Sequence, residues 1–202
     1  MKIKLIYVIA FILCVQIAKA QTFGIKGGVN FANMAITASE ITFSPKSITG
    51  VHIGPVVDFS LNDKIYFNTG LLYSVKGFKL NVTGETETYT ETLNYLEIPL
   101  NVALKFPISD KSKFFVEAGP YLAYALSGKD KVGGESIDIE FGTGSNKRFD
   151  AGLGFGAGVE LGNIVASLNY QLGLANVLDV EGTEAKNKVF QISLAYMFGK
   201  KK

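Results

Sequence analysis

In the stretch KRFDAGLGFGAGVELG (147–162), every second residue from Phe149 to Leu161 is apolar, and the residues between are charged or glycine. A period of two sustained over thirteen residues is a β-strand, because successive side chains point to opposite faces. One face of such a strand is a continuous apolar surface that something must cover. The same alternation recurs along the chain, and no helical pattern remains beyond residue 20 to do the covering. Lipid is therefore the expected cover. No stretch beyond residue 20 approaches the roughly 18 consecutive apolar residues of a membrane helix. Strands alone satisfy their backbone groups in a bilayer only as a closed barrel.

The amino terminus is consistent with export. Lys2 and Lys4 precede the apolar run Leu5 to Val15, and Ala18-Lys19-Ala20 fits a small-residue cleavage site. Residues 1–20 read as a secretory signal peptide, in preference to a membrane anchor, with Gln21 first in the mature chain. The sole cysteine, Cys14, lies inside this run, and Phe11-Ile12-Leu13 before it lacks the small residue of a lipoprotein signal. The mature chain then has no disulfide and no thiolate metal site. Lys2, Lys4 and Lys19 leave with the signal, so the balance moves from 20 basic against 18 acidic residues to 17 against 18. The excess of positive charge on the whole chain thus carries no case for nucleic acid. Residues 21–202 are long enough for one domain.

Eight alternating segments are expected. Their apolar faces are Phe23 to Phe31, Val51 to Leu61, Ile65 to Tyr73, Leu96 to Phe106, Phe114 to Tyr124, Phe149 to Leu161, Ile164 to Leu172 and Phe190 to Phe198. Short connections (Asn62-Asp63, Pro107 to Ser112, Gly162-Asn163) alternate with long polar ones (Asn33 to Thr49, Lys79 to Tyr89, Ser127 to Asn146, Asn176 to Lys188). That is the pattern of outer-membrane barrels, with short periplasmic turns and long outer loops. Phe23, Phe59, Phe106, Phe114 and Phe198 mark the short-turn side. Phe31, Tyr73, Tyr124, Phe149 and Phe190 mark the other, giving two aromatic girdles. Pro55, Pro99 and Pro120 fall inside strands, and the pairs Gly54-Pro55 and Gly119-Pro120 suggest local bulges. The inward glycines Gly152 to Gly158 are expected to make room for long side chains from the opposite wall.

Six stretches, GIKGGVNFAN (24–33), GVHIGPVVDFSL (50–61), LLYSVKGFK (71–79), YLEIPLNVALKF (95–106), FVEAGPYLAYALSGK (115–129) and FDAGLGFGAGVELG (149–162), resemble the PorT-type outer-membrane barrels of Bacteroidetes. The resemblance spans nearly the whole mature chain and implies an outer-membrane β-barrel. It also implies a link to secretion of periplasmic proteins, the role attached to the founding member, although no motif in this chain ties it to that pathway. Such a likeness transfers fold far better than function.

Candidate chemistry is sparse. Gly152-x-Gly154-x-x-Ala157 imitates a dinucleotide fingerprint, but that motif works at a strand-to-helix turn, and here the strand runs on. His52 is the only histidine. A lipid-modifying hydrolase would need it, yet no G-x-S-x-G element accompanies it, and it has no partners for a metal. Asn81-Val82-Thr83 is a sequon of little weight in a bacterium. The one constellation is a set of inward polar residues: Lys26, His52, Asp58, Lys76, Glu97, Lys105, Lys113, Glu117, Arg148, Asp150 and Glu160. Eight strands leave an interior that side chains can fill, so these charges are expected to pair and plug the lumen rather than line an ion path.

The expectation is thus an all-β fold: an eight-stranded antiparallel transmembrane barrel, an OmpA/OmpX-like up-and-down meander in the outer membrane. It is expected to be a monomer surrounded by lipid, without cofactor, metal, catalytic residues or nucleic-acid partner. Its role is structural, interactive or secretion-associated, through the outer loops or a secretion apparatus. The alternatives are a small-solute porin, a lipid-modifying enzyme using His52, and a secreted soluble barrel with a ligand cavity. Loop 127–146, with an alternating piece at Ser136 to Phe141, is the candidate for presenting a strand edge to a partner.

Overall fold

The computed structural model describes residues 21–38, 41–43, 45–81, 88–142 and 144–198. The expected signal segment and the sequon's Val82 and Thr83 lie outside them. Every regular element among the described residues is a strand: β1 (Gln21–Ala38), β2 (Ile41–Phe43), β3 (Lys46–Ser60), β4 (Ile65–Gly70), β5 (Leu72–Asn81), β6 (Thr88–Ser109), β7 (Ser112–Val132), β8 (Glu135–Asp138), β9 (Phe149–Leu161), β10 (Ile164–Gly173) and β11 (Thr183–Phe198). With β4 and β5 as two halves of one strand, eight long strands pair antiparallel with their sequence neighbours, and β1 closes the ring on β11. Closure leaves the wall without an edge inside the membrane.

Alternation sorts the side chains as the period of two requires. Phe23, Ile25, Val29 and Phe31 face outward, while Asn30 and Ala32 are fully buried inside. The aromatics meet in cross-strand register: Phe23 opposite Phe198, Phe59 opposite Phe67 and Phe106 opposite Phe114 at one end, Phe31 opposite Phe190 and Tyr124 opposite Phe149 at the other. Phe23 to Phe31 and Phe190 to Phe198 are each nine residues, and Phe114 to Tyr124 is eleven, which matches the ~9–11 residues a tilted strand needs to cross a bilayer.

The prolines act differently from expectation. The β3 register is the same on either side of Pro55, and the β6–β7 register is the same on either side of Pro120, so neither proline makes a bulge. Pro55 instead removes a donor from the ladder. Leu71 N donates to Pro55 O (3.0 Å) and receives nothing back, and on the other side Pro99 stands where Gly70 would pair. The expected third strand is therefore nicked between Gly70 and Leu72. The adjoining glycines permit close approach: a Cβ on Gly54 would lie 2.0 Å from Leu71 O. Register shifts occur elsewhere, between Ser47 and His52, between Asn94 and Tyr95, and between Pro107 and Ser109.

Two further expectations are corrected. Much of the four long connections is paired strand: β1 runs to Ala38 against Thr183, β6 begins at Thr88 against Asn81, and β7 extends to Val132, where β8 folds back on it. The inward glycines of β9 make room for adjacent strands, not the opposite wall. A Cβ on Gly152 would lie 2.7 Å from the Tyr121 ring, on Gly156 2.1 Å from Asn169 Nδ2, and on Gly158 2.6 Å from the Phe115 ring, all cross-strand partners.

Candidate functional site in the barrel lumen

The lumen is filled in layers. The outermost is apolar. Met34 and Ile36 of β1, Phe78 of β5, Leu93 and Tyr95 of β6, Tyr121, Ala123 and Ala125 of β7, and Ala185 of β11 form a core with Val177, Ile139, Phe141 and Leu178. The last four come from two connecting segments that hydrogen-bond across the barrel mouth: Lys147 N to Val177 O (2.8 Å), Asp179 N to Ser145 O (2.8 Å) and Gly144 N to Asp179 O (3.1 Å). Arg148 belongs to this cap. Its guanidinium donates to Ala125 O (2.9 Å) and Leu126 O (3.3 Å) and lies 4.3 Å above the Phe141 ring.

Glu91 is buried against this cap, outside the apolar band of the wall. It stands opposite Asp130 in the β6–β7 ladder and is hydrogen-bonded by Asn146. Burial, aided by the Asp130 charge, pushes its carboxyl up to about 7, and the Asn146 hydrogen bond offsets part of that rise. Tyr89 donates to Asp130 (2.7 Å) and is pushed above its ordinary range, chiefly by burial.

Beneath the cap, Lys76 is centred between two carboxylates, Glu97 at 2.8 Å and Asp150 at 3.1 Å, all three fully buried. Its ammonium also lies over the rings of Tyr121 (4.2 Å) and Tyr95 (5.2 Å). Tyr121 Oη and Asn187 Nδ2 donate to Asp150, and Gln171 Nε2 donates to Glu97 (2.7 Å). A buried charge is tolerated only when paired and hydrogen-bonded in this way.

His52 occupies a neutral layer. Nδ1 lies 2.7 Å from Asn30 Oδ1 and Nε2 2.9 Å from Ser193 Oγ. Asn30 uses its amide nitrogen on Ser74 Oγ (3.1 Å) and Val75 O (2.9 Å), so its oxygen accepts from His52. The imidazole then carries its proton on Nδ1 and accepts from Ser193 at Nε2. Its partners are an amide and a hydroxyl, with no carboxylate to orient it as a base.

Toward the short turns, Lys105 pairs with Asp58 and with Glu160 (2.5 Å), and its ammonium sits 4.0 Å above the Tyr66 ring. Lys113 donates to Tyr66 Oη (3.1 Å) at the rim. Glu117 receives Asn68 Nδ2 (2.9 Å) and Asn169 Nδ2 (2.6 Å). Lys26, half-buried and without an ion pair among the described residues, lines two small cavities of about 70 and 20 Å³ together with Pro99 and Asn101. Spaces of about 70 and 20 Å³ are on the scale of a few water molecules.

Of the residues singled out from sequence, Lys76, Glu97 and Asp150 come together, as do Lys105, Asp58 and Glu160. His52, Glu117, Lys26 and Lys113 stand apart, and Arg148 joins the cap. Asn30, Asn187, Ser193, Gln191, whose Nε2 donates to Asn30 Oδ1 (3.1 Å), and the tyrosines Tyr66, Tyr95 and Tyr121 complete the network. Most of them share the inward parity of the charges, a signal that selection by charge passed over. Among the described residues no group of three or more His, Cys, Asp or Glu could hold a metal.

A family model for the outer membrane protein beta-barrel domain matches residues 19–179. Solved structures similar to the chain include the outer membrane protein OprG from Pseudomonas aeruginosa (12% identity, 89% of this chain and 96% of that one, TM-score 0.49) and Neisserial surface protein A (14%, 87% and 97%, 0.46). Another is Ail, the attachment invasion locus protein of Yersinia pestis (16%, 88% and 98%, 0.40). At these identities the likeness concerns the fold alone. No curated protein matches the chain.

Proposed function

From the premise that the chain belongs to the outer membrane protein beta-barrel domain family, we propose that it is a sealed barrel whose work is done by its extracellular wall. It is neither a diffusion channel nor an enzyme. The observation that carries this reading is the filling of the lumen: an apolar cap, a Lys76 layer and a Lys105 layer stacked along one axis. The surroundings of His52 argue against catalysis, since a nucleophile–base pair needs a third, orienting group. The hairpin wall beyond the girdles, built from β1, β3, β5, β6, β7, β8 and β11, is the surface left for a partner. The resemblance to PorT-type barrels of Bacteroidetes favours a secretion-associated partner, with residues 1–20 as the export signal. Purified protein in planar bilayers tests the sealed lumen: no steady conductance above background is the expected result, and stable channels of porin size would overturn it.

A further inference from the structure

The outward face of the extracellular wall carries lysines where the lumen carries ion pairs. Lys46 of β3 lies directly opposite Lys79 of β5, Lys79 opposite Thr90 of β6, and Thr90 opposite Lys131 of β7. Residues directly opposite share a face, so three lysines form one row, about 14 Å long at ~4.8 Å per strand. Lys129 stands one step closer to the membrane, opposite Thr92. All four lysines are exposed, and among the described residues none is within ion-pair distance of a carboxylate, although Asp138 of β8 is opposite Lys129 in the ladder. Thr90, Thr92, Asn94 and Ser127 fill the positions between. Like charges directly opposite are destabilising, and the Lys46–Lys79 pair is such a case. An anion bridging it would relieve the repulsion.

Height decides which anion. Lys79 is six residues beyond the girdle residue Tyr73, about 20 Å along the strand and roughly 15 Å along the membrane normal at a tilt of ~40°. The headgroup zone is only about 5–8 Å thick, so the row stands above lipid phosphates. The face also points sideways, toward the neighbouring glycolipid sugars, rather than away from the cell. Lys188 differs: it is two residues beyond Phe190, at headgroup level, on the other side of the barrel. We infer that Lys46, Lys79, Lys129 and Lys131 bind the phosphate- or carboxylate-bearing sugars of the surrounding outer-leaflet glycolipid. The hydroxyl and amide side chains between them bond the sugar hydroxyls. This rests on the proposed extracellular placement of the hairpin wall, and not on the closed lumen.

The test uses the full barrel in nanodiscs of uncharged lipid. Three probes are titrated: lipopolysaccharide that retains its phosphorylated core, lipid A alone, and dextran sulfate. The fourfold variant K46Q/K79Q/K129Q/K131Q should bind core-bearing lipopolysaccharide at least tenfold more weakly than wild type, while both bind lipid A equally. Lys188→Gln should weaken lipid A alone. Equal binding of the core by wild type and the fourfold variant would overturn the inference. So would a loss confined to lipid A, which would place the site at the headgroups, or wild-type binding of dextran sulfate without binding of the core. All four side chains are exposed and none belongs to the apolar core, so the variant should keep its heat-modifiable migration. If it fails to fold, the double variant K46Q/K79Q must still show a several-fold loss of core binding that shrinks as salt is raised. Channel recordings of wild type are independent, so failure of the sealed-lumen reading is told apart from failure of this one.

Discussion

Replacing Lys76 with methionine keeps the side chain's length and removes its charge. Glu97 and Asp150 would then face each other in a fully buried layer with no cation between them. Removing one partner of a buried ion pair costs about 3–5 kcal/mol, because the remaining charge is left uncompensated. Two carboxylates share this lysine and two tyrosine rings flank it, which places the cost at the upper end of that range. Glu97 and Asp150 would retain Gln171, Tyr121 and Asn187 as donors, which keeps the loss from growing further. The expected shift in the folding constant is therefore on the order of a thousandfold. The chain has no tryptophan, so urea titration in detergent micelles should be followed by far-UV circular dichroism and heat-modifiable gel migration. The companion variant K76M/E97Q/D150N removes every charge of the layer and should recover most of the loss, since neutral amides occupy the same space. A single variant within 1 kcal/mol of wild type, or a companion no more stable than the single variant, would refute the reasoning about the ionic layer.

Three further outcomes are expected. Glu91 has a carboxyl raised from its ordinary value of 4.5 to about 7, so the folded rim holds its proton more tightly than the unfolded chain. Its contribution is greatest below about pH 4.5 and is lost as pH rises to about 7. Amide protection across residues 139–147, taken relative to the intrinsic exchange rate at each pH, should therefore fall over that interval, and Glu91→Gln should abolish the fall. Gly156→Leu would drive a Cβ into the Asn169 amide, and should cost ~1–3 kcal/mol or block folding in the same urea assay. His52→Ala removes the partner of Ser193 Oγ and leaves Asn30 Oδ1 with Gln191 Nε2 as its donor, and should cost about 1–3 kcal/mol, with no loss of any lipid-modifying activity assayed on the membrane. A loss of such activity with stability unchanged would instead make His52 catalytic.

The strands and their faces were legible because alternation is a local property: Phe149 to Leu161 declares its outward face without reference to any other residue. Charge on the inward parity pointed to the lumen for the same reason. Partners were not legible, because Lys76 meets Asp150 through the cross-barrel register and not through spacing. The nick at Leu71 arises from Pro55 and Pro99 on the two flanking strands, so no inspection of residues 64–78 alone would find it. The cap escaped for a different reason. Met34, Ile36, Ile139, Phe141 and Val177 lie in long connections whose polar composition reads as loop, although alternation continues through several of them. Replacing Lys129 to Gly144 by a short turn, which sequence alone would suggest is harmless, now removes Ile139 and Phe141 from the core.

The central claim is that outward parity meets lipid while inward parity is sealed from both aqueous sides. Because the only cysteine lies at position 14, in the expected signal segment, single cysteines can be placed and probed in native membranes with a water-soluble maleimide. Lys131→Cys should label rapidly, while Val29→Cys on the lipid face and Ser193→Cys in the lumen should resist. A lipid-soluble maleimide should then reach Val29→Cys but not Ser193→Cys. Rapid labelling of Ser193→Cys by the water-soluble reagent would mean an open lumen, and rapid labelling of Val29→Cys by it would mean a wall not embedded in lipid.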